Sequence, residues 1–286
     1  MRTLLICHED AALDREGLAR WLASFSTFVG TLVIREPGRR LRRRITRELK
    51  RVGPLRFLDV LAFRGYYRLA LGRPDRLWEE RELARLRQRF PQLPNVADVV
   101  LPSPNAPAAA WFIRECQPDL VLARCKTLLK EEIFTIAKLG TYVLHPGICP
   151  EYRNAHGCFW ARARGDDGNV GATLLRIDRG VDTGPVYGYY RIAVRPGESH
   201  VVTEHRAVHE HLESIRDRLL EIAAGTARPI DTNGRTSRAW GQPWLTAHVK
   251  MRARESRRLR PQPIDAGVRL PPSPLDVGQP DQRRSV

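Results

Sequence analysis

Long apolar runs are missing from this sequence. Nowhere do about 18 uncharged apolar residues follow one another, the length a helix needs to cross a bilayer, so no membrane span is expected. Near the start only residues 4–7 are continuously apolar before acidic side chains arrive, too short a run for the hydrophobic region of a signal peptide. Cysteine is scarce and odd in number: Cys7, Cys116, Cys125, Cys149 and Cys158 form no CxxC pair and match no zinc spacing. Reduced thiols in a cytoplasmic protein, with no bound metal, are the expectation. No glycine-rich phosphate loop follows the first apolar segment, which argues against a bound nucleotide cofactor. Acidic residues are too few to balance the basic ones: 32 Asp and Glu against 48 Lys and Arg leave a net charge of +16. Much of the excess is Arg in a chain rich in Ala, Leu and Pro, so charge alone makes no case for a specific nucleic-acid partner.

What is present fits a globular chain of ordinary design. Its 286 residues are 42% hydrophobic and 28% charged, enough for one sizeable core. Residues 3–7 predict a short buried strand. Residues 14–25 predict a helix, with Leu18, Trp21 and Leu22 at helical spacing, and residues 28–34 a second strand. This β-α-β opening implies an α/β fold with a parallel, doubly wound sheet flanked by helices. A basic stretch follows at 35–51, with Arg39, Arg40, Arg42, Arg43, Arg44 and Arg51. It continues into an amphipathic segment at 55–71 with Phe57, Leu58, Leu61, Tyr66 and Leu69. It reads as an inserted solvent-facing helix pair, or as a basic face for an anionic or membrane surface. Pro107 suits the first position of a helix running to about residue 115. Strands are expected at 98–101, 120–123, 141–145, 171–178 and 185–194, short helices at 130–137 and 158–164, and one long helix at 204–224. From residue 251 prolines sit among Arg, Asp and Gln without periodicity, which predicts a disordered tail to residue 286.

The chemistry-bearing stretch is His145-Pro-Gly-Ile-Cys-Pro-Glu-Tyr-Arg153-Asn-Ala-His156-Gly, directly after a buried strand. The second, Gly171-Ala-Thr173 to Asp182-Thr-Gly184-Pro185, lies downstream. A His at the carboxyl end of a parallel strand lies where open α/β sheets place their sites. Asp182 between two turn-forming glycines lies on a loop, where a carboxylate and main-chain groups can face a ligand. Imidazole titrates near neutrality and can take an amine proton, while a carboxylate orients it; the pair suits acyl transfer to an amine without a covalent enzyme intermediate. Cys149 and Cys158 flank the motif without an assigned base and read as packed thiols, and His8-Glu9-Asp10 reads as a polar loop.

These two stretches resemble the signature of the formyltransferases that use 10-formyltetrahydrofolate. The resemblance rests on His145, Gly147, Pro150, Tyr152-Arg153, Gly171-Ala-Thr173 and Asp182-Thr-Gly184-Pro185, over residues 117–194. The segment from Arg228 to Gly234 is similar to a later part of the family. The resemblance implies a Rossmann-like catalytic domain over residues 1–250, with the basic helical insertion at about 35–90. It implies 10-formyltetrahydrofolate as donor, a small-molecule amine such as an amino sugar as acceptor, and His145 and Asp182 as the catalytic imidazole and carboxylate. The donor would lie between two loops, one from Arg124 to Leu129 with Lys126, Thr127, Leu128 and Leu129, the other from Asp178 to Asp182 with Asp178 and Val181. Their main-chain groups suit a pterin edge.

One position departs from the family. An Asn two residues before the His is replaced by Val143, which has no hydrogen-bond donor. Loss of such a donor costs roughly 100- to 1000-fold in rate. Three readings stay open: a substitute donor, with Asn154 preferred over His156 and Lys126; a different chemistry, such as hydrolysis of the formyl donor; or a catalytically weak folate- or membrane-surface-binding homologue. Methionyl-tRNA is the less expected acceptor, since about 26 residues between Ala224 and the tail are too few for an added β-barrel.

Overall fold

The computed structural model describes residues 1–37, 39–92 and 95–259, with the side chains of residues 39–44, 47 and 259 left out of account. Its centre is a seven-stranded sheet in the order β3-β2-β1-β4-β5-β7-β8. Strands β1 (Arg2–His8), β2 (Thr27–Ile34), β3 (Asp98–Leu101), β4 (Leu120–Arg124) and β5 (Gly140–His145) are mutually parallel. The expected parallel sheet is extended by two antiparallel strands: β7 (Gly171–Arg176) runs against β5, and β8 (Val186–Arg191) runs against β7. A separate two-stranded pairing joins β6 (Arg153–Asn154) to β9 (Ala239–Trp240).

Strand alternation explains why β1 is apolar throughout. Leu4 and Ile6 point to one face and pack with Ala109, Phe112 and Ile113 of helix α5 (Pro107–Cys116). Leu5 and Cys7 point to the other, against Leu18, Trp21 and Leu86. The predicted first helix forms as a π-helical turn, Leu13–Leu18, continued by α1 (Ala19–Ala23). Pro107 occupies the start of α5 as its missing N–H favours. The chain leaves β1 toward β2 and β3, then returns to β4 on the other side of β1. The carboxyl ends of β1 and β4 therefore flank the crevice where α/β sheets bind ligands.

Between β2 and β3 lie α2 (Arg39–Val52), α3 (Pro54–Tyr66), a π-helical turn (Tyr67–Leu71) and α4 (Gly72–Arg89), where the sequence predicts a basic helical insertion. α4 carries Leu83 and Leu86 into the main core, and α3 buries Val60 and Phe63. α3 leaves Leu55 84% and Leu58 61% exposed, and Leu69 in the turn after it 90% exposed.

Two expectations are corrected. The long helix at 204–224 is two helices, α8 (His200–His209) and α9 (Leu212–Ala223), separated at Glu210 and His211. The stripe of Val208, Leu212, Ile215 and Leu219 stays buried across the break, so nothing in the apolar pattern marks it. The tail does not begin at residue 251. Helix α10 (Leu245–Leu259) runs through that position, with Met251 fully buried and Glu255 ion-paired to the buried Arg162 at 2.8 Å; residues 260–286 lie outside the described residues. Proline density at 261–280 coloured the preceding nine residues, whose Met251 and Glu255 are the packed positions.

Candidate active site

His145 ends β5 and is 5% exposed. Its Nε2 lies 2.8 Å from the Tyr152 carbonyl. A carbonyl only accepts, so Nε2 carries the hydrogen in that contact, and Nδ1 is the ring nitrogen left to face the site. Nδ1 faces Asp182 Oδ2 at 3.5 Å, too long for a hydrogen bond and short enough for a cation on the ring to be stabilised. Asp182 sits at φ 50°, in the left-handed region, and its Oδ2 accepts the main-chain N–H of Asn154 at 2.8 Å. That donor aims the carboxylate at the imidazole.

The loop after His145 is tightly packed main chain. A side chain on Gly147 would place its Cβ 2.4 Å from the Tyr152 carbonyl and 2.7 Å from His145 Nε2, so only glycine fits. Thr173 Oγ1 donates to the Gly147 carbonyl at 2.6 Å and accepts from Cys149 N at 3.0 Å, pinning the loop to β7. Gly184 is required likewise, its absent Cβ falling 1.9 Å from the Arg176 carbonyl. Arg153 donates to the Val181 carbonyl at 2.8 Å and ties the loop carrying the His to the loop carrying the Asp. Burial pushes the Cys149 and Cys158 thiols well above the usual thiol range, so neither is a nucleophile.

The other predicted residues are spread around this pair. Asn154, at φ 76°, is beside Asp182, but its side-chain amide donates to the Trp240 carbonyl. Val143 lies on the His145 face of β5 and packs with Cys149, Leu175 and Val186. His156 turns away to Glu204, 3.0 Å from Nδ1 to Oε1. In the β4–α6 loop (α6 being Glu131–Phe134) Lys126 N donates to His8 Nε2 at 3.0 Å, and the Leu128 carbonyl accepts from Asn105 at 2.9 Å. Thr127 bonds Glu36 at 3.2 Å, Leu129 is buried, and Leu128 and Val181 expose their side chains. Asp178 closes its own loop, accepting from Gly180 N at 2.9 Å and Thr183 Oγ1 at 2.8 Å. Three main-chain groups that could face a pterin, on Lys126, Leu128 and Val181, thus already have protein partners.

Sequence reasoning missed Arg124 and the tryptophans. Arg124 Nη1 donates to the Leu144 carbonyl at 2.5 Å, beside His145, and its Nε holds Asp14 at 3.0 Å. An Arg closing a buried strand was the available signal. Trp240 stacks on Tyr152 and on Trp160 at 5.9 and 4.8 Å between ring centroids. With Trp244, Arg56 and Arg238 these two tryptophans line a cavity of about 250 Å³ behind Asn154. Nothing in the spacing of Trp160, Trp240 and Trp244 forecast it.

Residues 102–218 match the model of the family described as formyl transferase, a span that contains His145, Asp182 and the packed glycines between them. Over that span the chain is similar to the formyl transferases. Among curated relatives, methionyl-tRNA formyltransferase of Dehalococcoides mccartyi is 33% identical over 94 residues, which is 32% of this chain and 30% of that protein. The chain thus spans about a third of that relative's length in the match. Among solved structures, phosphoribosylglycinamide formyltransferase from Anaplasma phagocytophilum superposes with a TM-score of 0.52 at 13% identity, covering 85% of this chain and 99% of that one. A sugar N-formyltransferase from Shewanella sp FDAARGOS_354 gives 0.51 at 12% identity, covering 88% and 87%. These likenesses establish the formyltransferase-like fold. Within the matched span, His145 stands at the carboxyl end of the last parallel strand of the sheet.

Proposed function

We propose that the protein is an N-formyltransferase that moves a formyl group from 10-formyltetrahydrofolate to a primary amine of a small metabolite, an amino sugar being the favoured class. The observation that carries this reading is the His145–Asp182 pair, with Nε2 held by a carbonyl and Nδ1 3.5 Å from a carboxylate oxygen. The amine nitrogen forms a bond to the formyl carbon, and the bond from that carbon to the donor nitrogen breaks. His145 Nδ1 takes the amine proton, Asp182 stabilises the resulting imidazolium, and the proton passes to the departing nitrogen. Asn154 is the proposed donor to the developing oxyanion, its side-chain amide exchanging the Trp240 carbonyl for the formyl oxygen. The exposed Leu128 and Val181 offer apolar surface on the two loops between which the donor would lie. The cavity lined by Trp160, Trp240, Arg56 and Arg238 is the proposed acceptor side of the site, and its cationic rim suits an anionic acceptor.

The test is consumption of 10-formyltetrahydrofolate with and without a panel of amines, for the wild type, His145→Ala and Asp182→Ala. Tetrahydrofolate release that needs an amine and falls roughly 10²- to 10⁴-fold in both variants is expected. Release without any amine would instead identify a hydrolase. Binding of the donor without turnover would identify a non-catalytic homologue.

A second reading concerns location. Among the described residues no helix is long and apolar enough to cross a membrane. The row of Leu55, Leu58 and Leu69 is nevertheless exposed beside Arg56, Arg64 and Arg68, and follows the basic helix α2. An apolar stripe with basic flanks suits an anionic membrane surface on which the helix lies flat. Co-sedimentation with phosphatidylserine vesicles, lost at high salt and in Leu55→Glu/Leu58→Glu, is the expected result; retention of the variant by vesicles refutes it.

A further inference from the structure

A second cluster of ligand-type side chains lies away from His145. Helix α8 carries His205 and His209 four residues apart, one turn, so both rings leave the same face. Asp14, in the π-helical turn before α1, meets them there. One ligand-type atom from each of the three residues lies within 4.8 Å of the other two. Asp14 is 6% and His209 2% exposed.

The ring nitrogens make this more than a packed corner. Nδ1 of His205 and both nitrogens of His209 are buried without a hydrogen-bond partner. A buried ring nitrogen left dry is destabilising, so His205 Nδ1 and His209 Nε2, neither of which has a carboxylate neighbour among the ion pairs of the described residues, need an explanation. The outward-facing atoms have carboxylate neighbours. His205 Nε2 is 3.6 Å from Glu79 Oε1, and His209 Nδ1 is 3.5 Å from Glu82 Oε1. Asp14 Oδ1 accepts from Arg124 Nε at 3.0 Å. A metal-bound imidazole commonly directs its second N–H at a carboxylate, which fixes the ring and strengthens the ligand. By elimination the inward set is His205 Nδ1, His209 Nε2 and Asp14 Oδ2. Arg124 reaches Asp14 through Oδ1 and also donates to the Leu144 carbonyl. Arg85 holds both oxygens of Glu82, Nε on Oε2 at 2.9 Å and Nη2 on Oε1, so Oε1 is shared between Arg85 and the more distant His209 Nδ1.

We propose that Asp14, His205 and His209 bind a divalent first-row transition ion, zinc being the fitting case, in a site distinct from the His145–Asp182 pair. Two imidazoles and one carboxylate are a donor set such ions accept. The ion ties α8 to the turn that opens α1. Through Asp14 and Arg124 it also steadies the Leu144 carbonyl next to His145, so its role is structural positioning.

The experiment uses the full-length protein stripped with a chelator and dialysed, then given one equivalent of Zn²⁺ or Co²⁺. Zinc at about 100 times its dissociation constant is expected to raise the melting temperature by roughly 5–10 °C. Cobalt is expected to give visible d–d absorption at one equivalent. Both effects disappear in His209→Gln and in His205→Gln. The ring of His205 is partly exposed, so that variant keeps the fold, and its metal-free melting temperature, matching that of the stripped wild type, checks this. A stripped wild type that melts unchanged with zinc and stays colourless with cobalt overturns the proposal, leaving the cluster held by ion pairs alone. Absorption retained in both variants overturns it equally, by placing the ion elsewhere.

Discussion

Gly157→Ala is the sharpest perturbation of the loop that follows His145, because a single methyl group has nowhere to go. Gly157 opens helix α7 (Gly157–Arg164), and its absent Cβ would fall 2.4 Å from Gly147 Cα, 2.7 Å from the Tyr152 carbonyl and 2.9 Å from the Pro146 carbonyl. All three are main-chain atoms, so no rotamer change relieves the clash. Ordinary contact begins near 3.4 Å, and the two segments must part by about 1 Å at the point where carbon–carbon attraction turns to repulsion. The Tyr152 carbonyl is the group that holds His145 Nε2, so the displacement reaches the imidazole directly. Overpacking of this kind costs roughly 1–3 kcal/mol, a fall in melting temperature of roughly 2–12 °C for a domain of this size. A misplacement of about 1 Å in a catalytic group costs about 10²-fold in rate. The assays are a thermal melt and kcat/KM for tetrahydrofolate release on the same preparation. A variant that keeps wild-type melting temperature and kcat/KM within about twofold would refute the account of this loop as main chain packed without slack.

Other perturbations reach different parts of the argument. Glu255→Ala strands the buried Arg162 guanidinium, whose other acceptors are Thr203 Oγ1 and the Glu198 carbonyl; a loss near 3 kcal/mol, the low end for a broken buried pair, is expected in a urea melt, and a loss below about 1 kcal/mol would show α10 to be loosely docked. His200 is 5% exposed, and burial first, then the charge of His156, hold its pKa down to about 3, with Glu204 and Arg162 also facing it. The unfolded chain binds that proton near 6.5 and the native one does not, so stability falls as pH drops through this window, by up to about 1.4 kcal/mol per pH unit. His248, brought down to about 4 by burial, adds in the same direction. Urea midpoints measured from about pH 7 to pH 5 should therefore fall, less steeply in His200→Phe, and a flat profile in the wild type contradicts the burial of these rings in neutral form.

The sheet and the juxtaposition of His145 with Asp182 were legible because backbone geometry constrains them locally. Residues 3–7, 120–123 and 141–145 are apolar on both faces because helices cover both faces of the sheet, and each is found as a strand. Gly147, Thr173 and Gly184 are visible as a motif because each meets main chain where another residue would collide or leave a carbonyl unpaired. What could not be read depends on contacts between distant parts of the chain. Asn154 finds its partner in Trp240, 86 positions later, and Asp14 meets Arg124 across 110. The histidines of α8 gave no metal signal, because their third partner comes from the other end of the chain.

Val143 shows how the two kinds of information meet. Strand alternation places it on the His145 face, and its neighbours Cys149, Leu175 and Val186 account for an apolar side chain there. On the proposed mechanism a donor for the formyl oxygen must then come from outside β5. Asn154 offers one main-chain and two side-chain N–H groups: the main-chain N–H holds Asp182 and one side-chain N–H meets the Trp240 carbonyl, so rotating the side-chain amide fully onto the formyl oxygen gives up that carbonyl. Giving up that hydrogen bond costs about 1 kcal/mol net, or up to about 3 kcal/mol if the carbonyl stays dry. A well-placed oxyanion donor is worth about 2.7–4 kcal/mol in the transition state. The exchange is favourable if the carbonyl finds water or an acceptor N–H, and close to neutral if it does not. Trp240 lines the cavity assigned to the acceptor. On the proposed mechanism, an acceptor bound there decides whether the Asn154 amide is released, and a small amine that leaves the cavity empty is a poor substrate even though His145 and Asp182 are in place.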